Sequence, residues 1–207
     1  MDVAVLSVVA FAVGTAGNLL KALPQFLRTA VRGHVAGLSP AGVWLAFTAN
    51  VLWMSFGVSI ADWRFVALNL VGTVLTGGIV VRFVRRVGLK TNTRLALYAA
   101  AACSAFVAAG ALGHALLLEA VGAAFGVVIS MPQLLHLWRM RDTSDDVSGV
   151  SPGEYLVVIV AQIGWTTYWL LQAHPLAAAG AAWGGVARLA TYGLLRRQSR
   201  RVAVSTP

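Results

Sequence analysis

Apolar residues run along the chain in seven blocks, roughly 3–27, 41–60, 65–81, 95–112, 115–138, 153–171 and 176–195. Each has about the length that carries an α-helix across the ~30 Å hydrocarbon core of a bilayer. The blocks therefore predict seven transmembrane helices. The first follows Met1-Asp2 directly, without the basic n-region of a signal peptide, and reads as a spanning helix. The connections are short and alternate in chemistry. Arg28 and Arg32 follow the first block; Arg82, Arg85, Arg86, Lys90 and Arg94 follow the third. Arg139 and Arg141 follow the fifth, and Arg196, Arg197, Arg200 and Arg201 follow the seventh. The other side has only Arg64, while Lys21 and Arg188 lie within blocks. Basic residues mark the cytoplasmic side of a membrane. The expected topology has the N-terminus outside and the C-terminus in the cytoplasm.

Composition agrees. Of 207 residues 58% are hydrophobic and 11% charged, with a mean hydropathy of +0.77, whereas a soluble domain carries about 25% charged residues. Seven spans use about 140 residues, which leaves no room for a separate soluble enzyme domain. The net charge of +9 does not indicate a nucleic-acid partner, because the basic residues sit between the apolar blocks rather than along one helix. Cys103 is the sole cysteine and His34, His114, His136 and His174 are scattered, so neither a disulfide nor a structural zinc site is expected. No nucleophile elbow, P-loop, zinc-protease or dinucleotide motif occurs. The chain is not expected to be an enzyme, and no cofactor is implied. Arg outnumbers Lys 14 to 2, a composition that suggests a GC-rich bacterial genome and so a bacterial cytoplasmic membrane.

An internal repeat changes the picture most. Leu23-Pro24-Gln25 returns as Met131-Pro132-Gln133, and Gly37-Leu38-Ser39-Pro40 as Gly149-Val150-Ser151-Pro152. The offset is 108 at the first pair and 112 at the second. At 112, Asn50 falls on Gln162, Trp53 on Trp165 and Phe56 on Tyr168. Each repeat holds three helices. Two such units joined directly would be inverted relative to each other, yet both carry basic residues just after their Pro-Gln helix. The unmatched fourth helix restores parity. The expected fold class is all-α transmembrane: seven helices in two parallel three-helix bundles joined by a linker helix. The expected divisions are 1–86 for the first bundle, 87–113 for the linker and fourth helix, 114–197 for the second bundle and 198–207 for a cytoplasmic tail.

The paired Pro-Gln motifs, the G-[LV]-S-P turns and the lone helix between two triplets resemble the PQ-loop repeat superfamily. Within it the chain is most similar to the SWEET and SemiSWEET-like sugar transporters of 3+1+3 architecture, over about residues 10–197. The resemblance implies a central pathway between the bundles, moving solute by alternating access. It also implies a substrate pocket built from a Trp on the second helix and an Asn on the third helix of each bundle. Trp53 and Asn69 fit the first repeat and Trp165 the second, where Ala181 stands at the position matching Asn69.

The residues themselves support several roles. Pro24 lacks a backbone N–H and crowds the carbonyl of Leu20, and Pro132 does the same to Val128, so Pro24-Gln25 and Pro132-Gln133 are candidate hinges or, alternatively, static kinks. An indole covers the C–H face of a sugar and an amide serves its hydroxyls. That makes Trp53, Asn69 and Trp165, with Asn50 and Gln162, candidate substrate contacts near the middle of their spans, with helix packing as the alternative. Trp44, Trp63 and Trp138 read as interfacial belt residues. Asn18, Lys21 and Gln25 share a helical face, and Asn69, Thr73 and Thr76 form a second polar stripe. Lys21 and Arg188, with Asn18, are candidate contacts for an inner gate or an anionic substrate; alternatively the two cations snorkel to the headgroups. Glu119 reads as a helix-end residue rather than a proton-coupling group, and Asp142 to Asp146 as a solvated loop. Three functions stay open: a facilitative transporter of a small polar solute, foremost a mono- or disaccharide; a transporter of an amino acid or organic anion through Lys21 and Arg188; and a non-transporting receptor or scaffold. The expected partners are the bilayer and a small solute, with homo-oligomers neither required nor forbidden.

Overall fold

The structure, a computed structural model, describes residues 2–33, 40–139 and 152–205. The two G-[LV]-S turns, His34 and the Asp142 to Asp146 cluster lie outside the described residues. So do the side chains of Gln25, Pro132, His136 and Gln133, whose backbones lie within helices. There are seven α-helices, and no strand among the described residues: α1 (Val3–Phe26), α2 (Pro40–Ser59), α3 (Trp63–Val87), α4 (Leu89–Ala111), α5 (Ala115–Arg139), α6 (Pro152–Leu171) and α7 (Pro175–Ser205). A short π-helical turn, Leu27–Val31, follows α1. Among the described residues four helices, with α1 extended through Val31, are long and apolar enough to cross a membrane, and α5 and α6 carry shorter apolar stretches, Ala115–Ile129 and Tyr155–Leu171. The chain is an integral, multi-pass membrane protein.

Local chemistry sets the helix ends. Pro40, Pro152 and Pro175 open α2, α6 and α7, where a fixed φ is helical and the missing N–H would have had no partner. The basic ends run further than the apolar blocks, with α3 reaching Val87 and α7 Ser205. Arginine is a good helix former, and hydropathy marks the bilayer rather than the helix. The opposite ends close on one recurring turn. Asp62 N–H donates to Gly57, His114 to Ala109 and His174 to Trp169, each after a residue of positive φ: Ala61 (55°), Gly113 (75°) and Ala173 (60°). This is the Schellman arrangement. Ala61 and Ala173 stand 112 residues apart, so the repeat extends to backbone geometry.

Burial repeats as well. At the offset of 112, Val43 matches Tyr155, Phe56 matches Tyr168, Phe65 matches Ala177 and Phe83 matches Leu195, and all eight are buried. Large apolar side chains meanwhile face outward, among them Leu20, Leu97, Leu116 and Ile163, as a lipid solvent requires. Trp44 does not join them. It packs with Phe26 and Phe47 against Val43, Ile79, Val80 and Phe83, and its buried indole N–H has no hydrogen-bond partner among the described residues. The expectation of a belt residue is corrected here, because the ring completes the α2–α3 core. Trp63 and Trp138 are exposed.

The chain forms two compact units. One holds Met1–Lys21 and Ala123–Pro207, the other Ala22–Gly122. The division falls inside α1 and α5, so most of α1 belongs with α6 and α7, and the start of α5 with α2 to α4. Glycines make these packings close. In the first unit Gly164 lies against α1 backbone: a Cβ there would come 2.7 Å from Gly14 N and 2.8 Å from Ala10 O. Gln172 donates to Ser7 at 2.8 Å along the same seam. In the second unit α4 lies along α2, and a Cβ on Gly110 would come 2.6 Å from the Ser55 carbonyl.

An alanine at positive φ costs about 1 kcal/mol that glycine avoids. Ala61→Gly and Ala173→Gly should each raise the thermal unfolding midpoint of the purified protein. A lowered midpoint in both would show that the turns are not held as described.

Candidate functional site

Trp53 and Asn69 lie in the second unit, on α2 and α3. Each is six residues from the end joined by the Ala61 turn, a depth of about 9 Å at 1.5 Å per residue. They sit toward that end of their helices rather than at the middle. Phe65 stands between them. Its ring is 6.1 Å from that of Trp53, and its carbonyl accepts from Asn69 Nδ2 at 2.8 Å. Phe56 closes the cluster, 5.7 Å from Trp53 and 6.5 Å from Phe65. The other edge of the Trp53 indole faces Gly122 of α5, where a Cβ would come 2.8 Å from Cη2. One turn earlier on that face is Glu119, which is only 4% exposed. The expectation of an ordinary helix-end residue understates it, because this carboxylate is enclosed in the unit that holds Trp53 and Asn69.

The matching level of the first unit is aromatic. Trp165 is buried, stacked on Trp169 at 6.2 Å and edge-on to Phe11 at 5.6 Å and Tyr168 at 5.8 Å. A Cβ on Gly14 would come 2.6 Å from its Cε2. Gly14 and Gly122 are 108 residues apart, and Trp53 and Trp165 are 112 apart, so each repeat's Pro-Gln helix offers a glycine to the other repeat's tryptophan. The polar groups do not repeat: Phe11 stands where Glu119 would match, and Ala181 where Asn69 would.

Asn50 and Gln162 occupy equivalent places between the second and third helices of their repeats. Asn50 donates to Ala46 O at 2.8 Å, and a Cβ on Gly72 would overlap its Oδ1. A Cβ on Gly184 would lie 3.3–3.4 Å from the Gln162 amide. Gly72 and Gly184 are again 112 apart. The stripe on α3 is satisfied within its own helix, with Thr73 donating to Asn69 O and Thr76 to Gly72 O, both at 2.7 Å.

The basic candidates lie in the first unit. Arg188 is half-buried, its guanidinium 5.6 Å from the centre of the Tyr155 ring, a geometry in which the ring face attracts the cation. Asn18 and Lys21 are exposed, whereas Ser7, Ala10, Gly14 and Gly17 form the buried stripe of α1. α1 and α6 run antiparallel, with Ser7 beside Gln172 and Gly17 beside Ala161 and the Val157 carbonyl. That register brings Lys21 level with the first turns of α6, which contain Glu154, a carboxylate the sequence reading passed over. α1 stays α-helical through Pro24 and widens only at Leu27–Val31, with Arg32 N–H donating to Leu27 O at 3.0 Å. α5 is α-helical through Pro132. Among the described residues no three His, Cys, Asp or Glu side chains form a group that could hold a metal.

No protein-family model and no curated protein matches the sequence. A solved structure does match the fold: a eukaryotic SWEET transporter, with a TM-score of 0.75 and 15% identity, covers 95% of this chain and 99% of that one. The chain has a SWEET-like fold.

The Trp53–Gly122 contact gives a direct test. Gly122→Val forces methyl groups into the indole, and overpacking of this kind costs about 1–3 kcal/mol. Combining it with Trp53→Ala should recover part of that loss. Strict additivity in a double-mutant cycle of thermal stabilities would place the two side chains apart.

Proposed function

We propose that this protein is a facilitative transporter of a small polar solute, foremost a mono- or disaccharide, working by alternating access. The observation that carries the reading is the cluster of Trp53, Phe65 and Asn69 in a unit that also buries Glu119, within a SWEET-like fold. A pyranose has an apolar C–H face and a polar rim. The indole of Trp53 covers the face, and the Asn69 amide and Glu119 carboxylate serve hydroxyls, exchanging hydrogen bonds of similar strength. The amide of Asn69 is held against its own helix until a hydroxyl replaces the Phe65 carbonyl. A ligand lacking the hydroxyls offers the amide nothing in exchange for that carbonyl, which gives selectivity.

In this reading 1–86 and 114–197 are the repeated halves, with 87–113 as the linker and the basic helix ends in the cytoplasm. Pro24-Gln25 and Pro132-Gln133 act as hinges. The π turn just after Pro24 supports this on α1, because its wider ring of hydrogen bonds interrupts the regular ladder. The Trp165 cluster is the dry counterpart of the Trp53 site and guides packing more than recognition. Arg188 on Tyr155 and Lys21 at the first turns of α6 serve as structural cations near the basic end.

In proteoliposomes, uptake of labelled glucose or sucrose should saturate. Asn69→Ala and Trp53→Ala should each lower it by about tenfold or more, the effect of roughly 1.4 kcal/mol. Lys21→Met and Arg188→Met should leave it within about twofold. The Asn69 change removes one helix-internal bond, so its unfolding free energy should fall by no more than about 1.5 kcal/mol, which separates a binding defect from misfolding. Flux of an organic acid that depends on Lys21 or Arg188 would assign an anion instead, and no flux across a broad solute panel would indicate a receptor or scaffold.

A further inference from the structure

Between α5 and α7, near the basic ends of both helices, lies a cavity of about 490 Å³. Leu134 and Leu135 of α5 and Leu194 of α7 give it apolar walls, and Trp138 and Arg197 stand toward the helix ends that carry the basic clusters. Gly193 opens it, since a Cβ there would meet nothing within 4 Å. The floor is firm: Leu194 and Leu195 pack on Tyr155, with Leu134 against them. At about 100° per residue, Ala190, Gly193, Leu194 and Arg197 fall on the side of α7 roughly opposite Ala181, Gly184 and Arg188. The cavity therefore does not belong to the candidate solute site.

We propose that this cavity binds one anionic phospholipid, its phosphate on Arg197 and an acyl chain along Leu134, Leu135 and Leu194. The charge argues for it. Arg196 is turned onto the Tyr192 ring at 5.7 Å, while exposed Arg197 forms no ion pair among the described residues. Arg200 and Arg201 follow one turn later and Arg139 ends α5. A basic pocket between transmembrane helices at the cytoplasmic surface has the features that capture anionic headgroups. Trp138, exposed beside the cavity, belongs at headgroup depth. The open space at Gly193 suits a flexible chain rather than a rigid side chain.

Native mass spectrometry of the full chain in detergent, titrated with phosphatidylglycerol or phosphatidylcholine of identical acyl chains, tests this. The unaltered protein should retain one phosphatidylglycerol in preference by about fivefold or more, a modest effect for one arginine near an anionic headgroup. Arg197→Gln should remove the preference, and Gly193→Leu should remove retention of both lipids by filling the cavity. Inorganic phosphate at millimolar concentration should not displace the lipid. Equal retention of the two lipids, unchanged binding in both variants, or displacement by phosphate alone would overturn the proposal. So would a change of oligomeric state in Gly193→Leu, which would mark the cavity as a contact between copies of this chain. The readout does not depend on transport.

Discussion

A bilayer core offers no water to a hydrogen-bonding group, and the rest of this structure follows from that shortage. Each polar side chain in a span must find a partner nearby or become expensive. The partner chosen again and again is the carbonyl one turn back. Thr48, Asn50, Ser55, Asn69, Thr73, Thr76, Asn92, Thr166 and Thr191 each donate to the carbonyl four residues earlier, at 2.7–3.0 Å. Each hydroxyl donor, and one N–H of each amide, is thereby satisfied within its own helix. Helices whose polar groups are closed on themselves can be brought together by packing, and can exchange partners without breaking a network.

Packing in turn depends on how closely backbones approach, because lipid tails are as apolar as leucine and supply no hydrophobic drive between helices. Glycine permits the approach. Gly14, Gly17 and Gly164 bring α1 onto α6, Gly110 brings α4 onto α2, and Gly72 leaves room for the Asn50 amide. Where a glycine meets an indole, as Gly14 meets Trp165 and Gly122 meets Trp53, a flat ring lies against bare backbone. Dispersion over a ring of that size is large in sum although each atom pair contributes little.

The two repeats share these packing devices and differ in polarity. Where the second unit has Trp53, Asn69 and Glu119, the first has Trp165, Ala181 and Phe11. The duplicated scaffold has kept its packing devices while the polar groups at this level have diverged.

The sequence by itself determined the helix count, the membrane setting and the repeat, because hydropathy over about 20 residues and paired Pro-Gln motifs are local signals that lipid enforces strictly. It also pointed to Trp53, Asn69 and Trp165 as residues of interest. Only the tertiary structure decided that Trp44 belongs to a core, that Glu119 is buried and that Arg188 rests on Tyr155, since each depends on which helix face meets which neighbour. The glycine opposite each tryptophan was within reach: the same offsets of 108 and 112 that align the motifs align Gly14 with Gly122 and Gly72 with Gly184. What no offset could supply is the division of α1 and α5 between the two units. A repeat in sequence records duplication, whereas packing follows the closest surfaces available, and those are set by side chains distant in the chain.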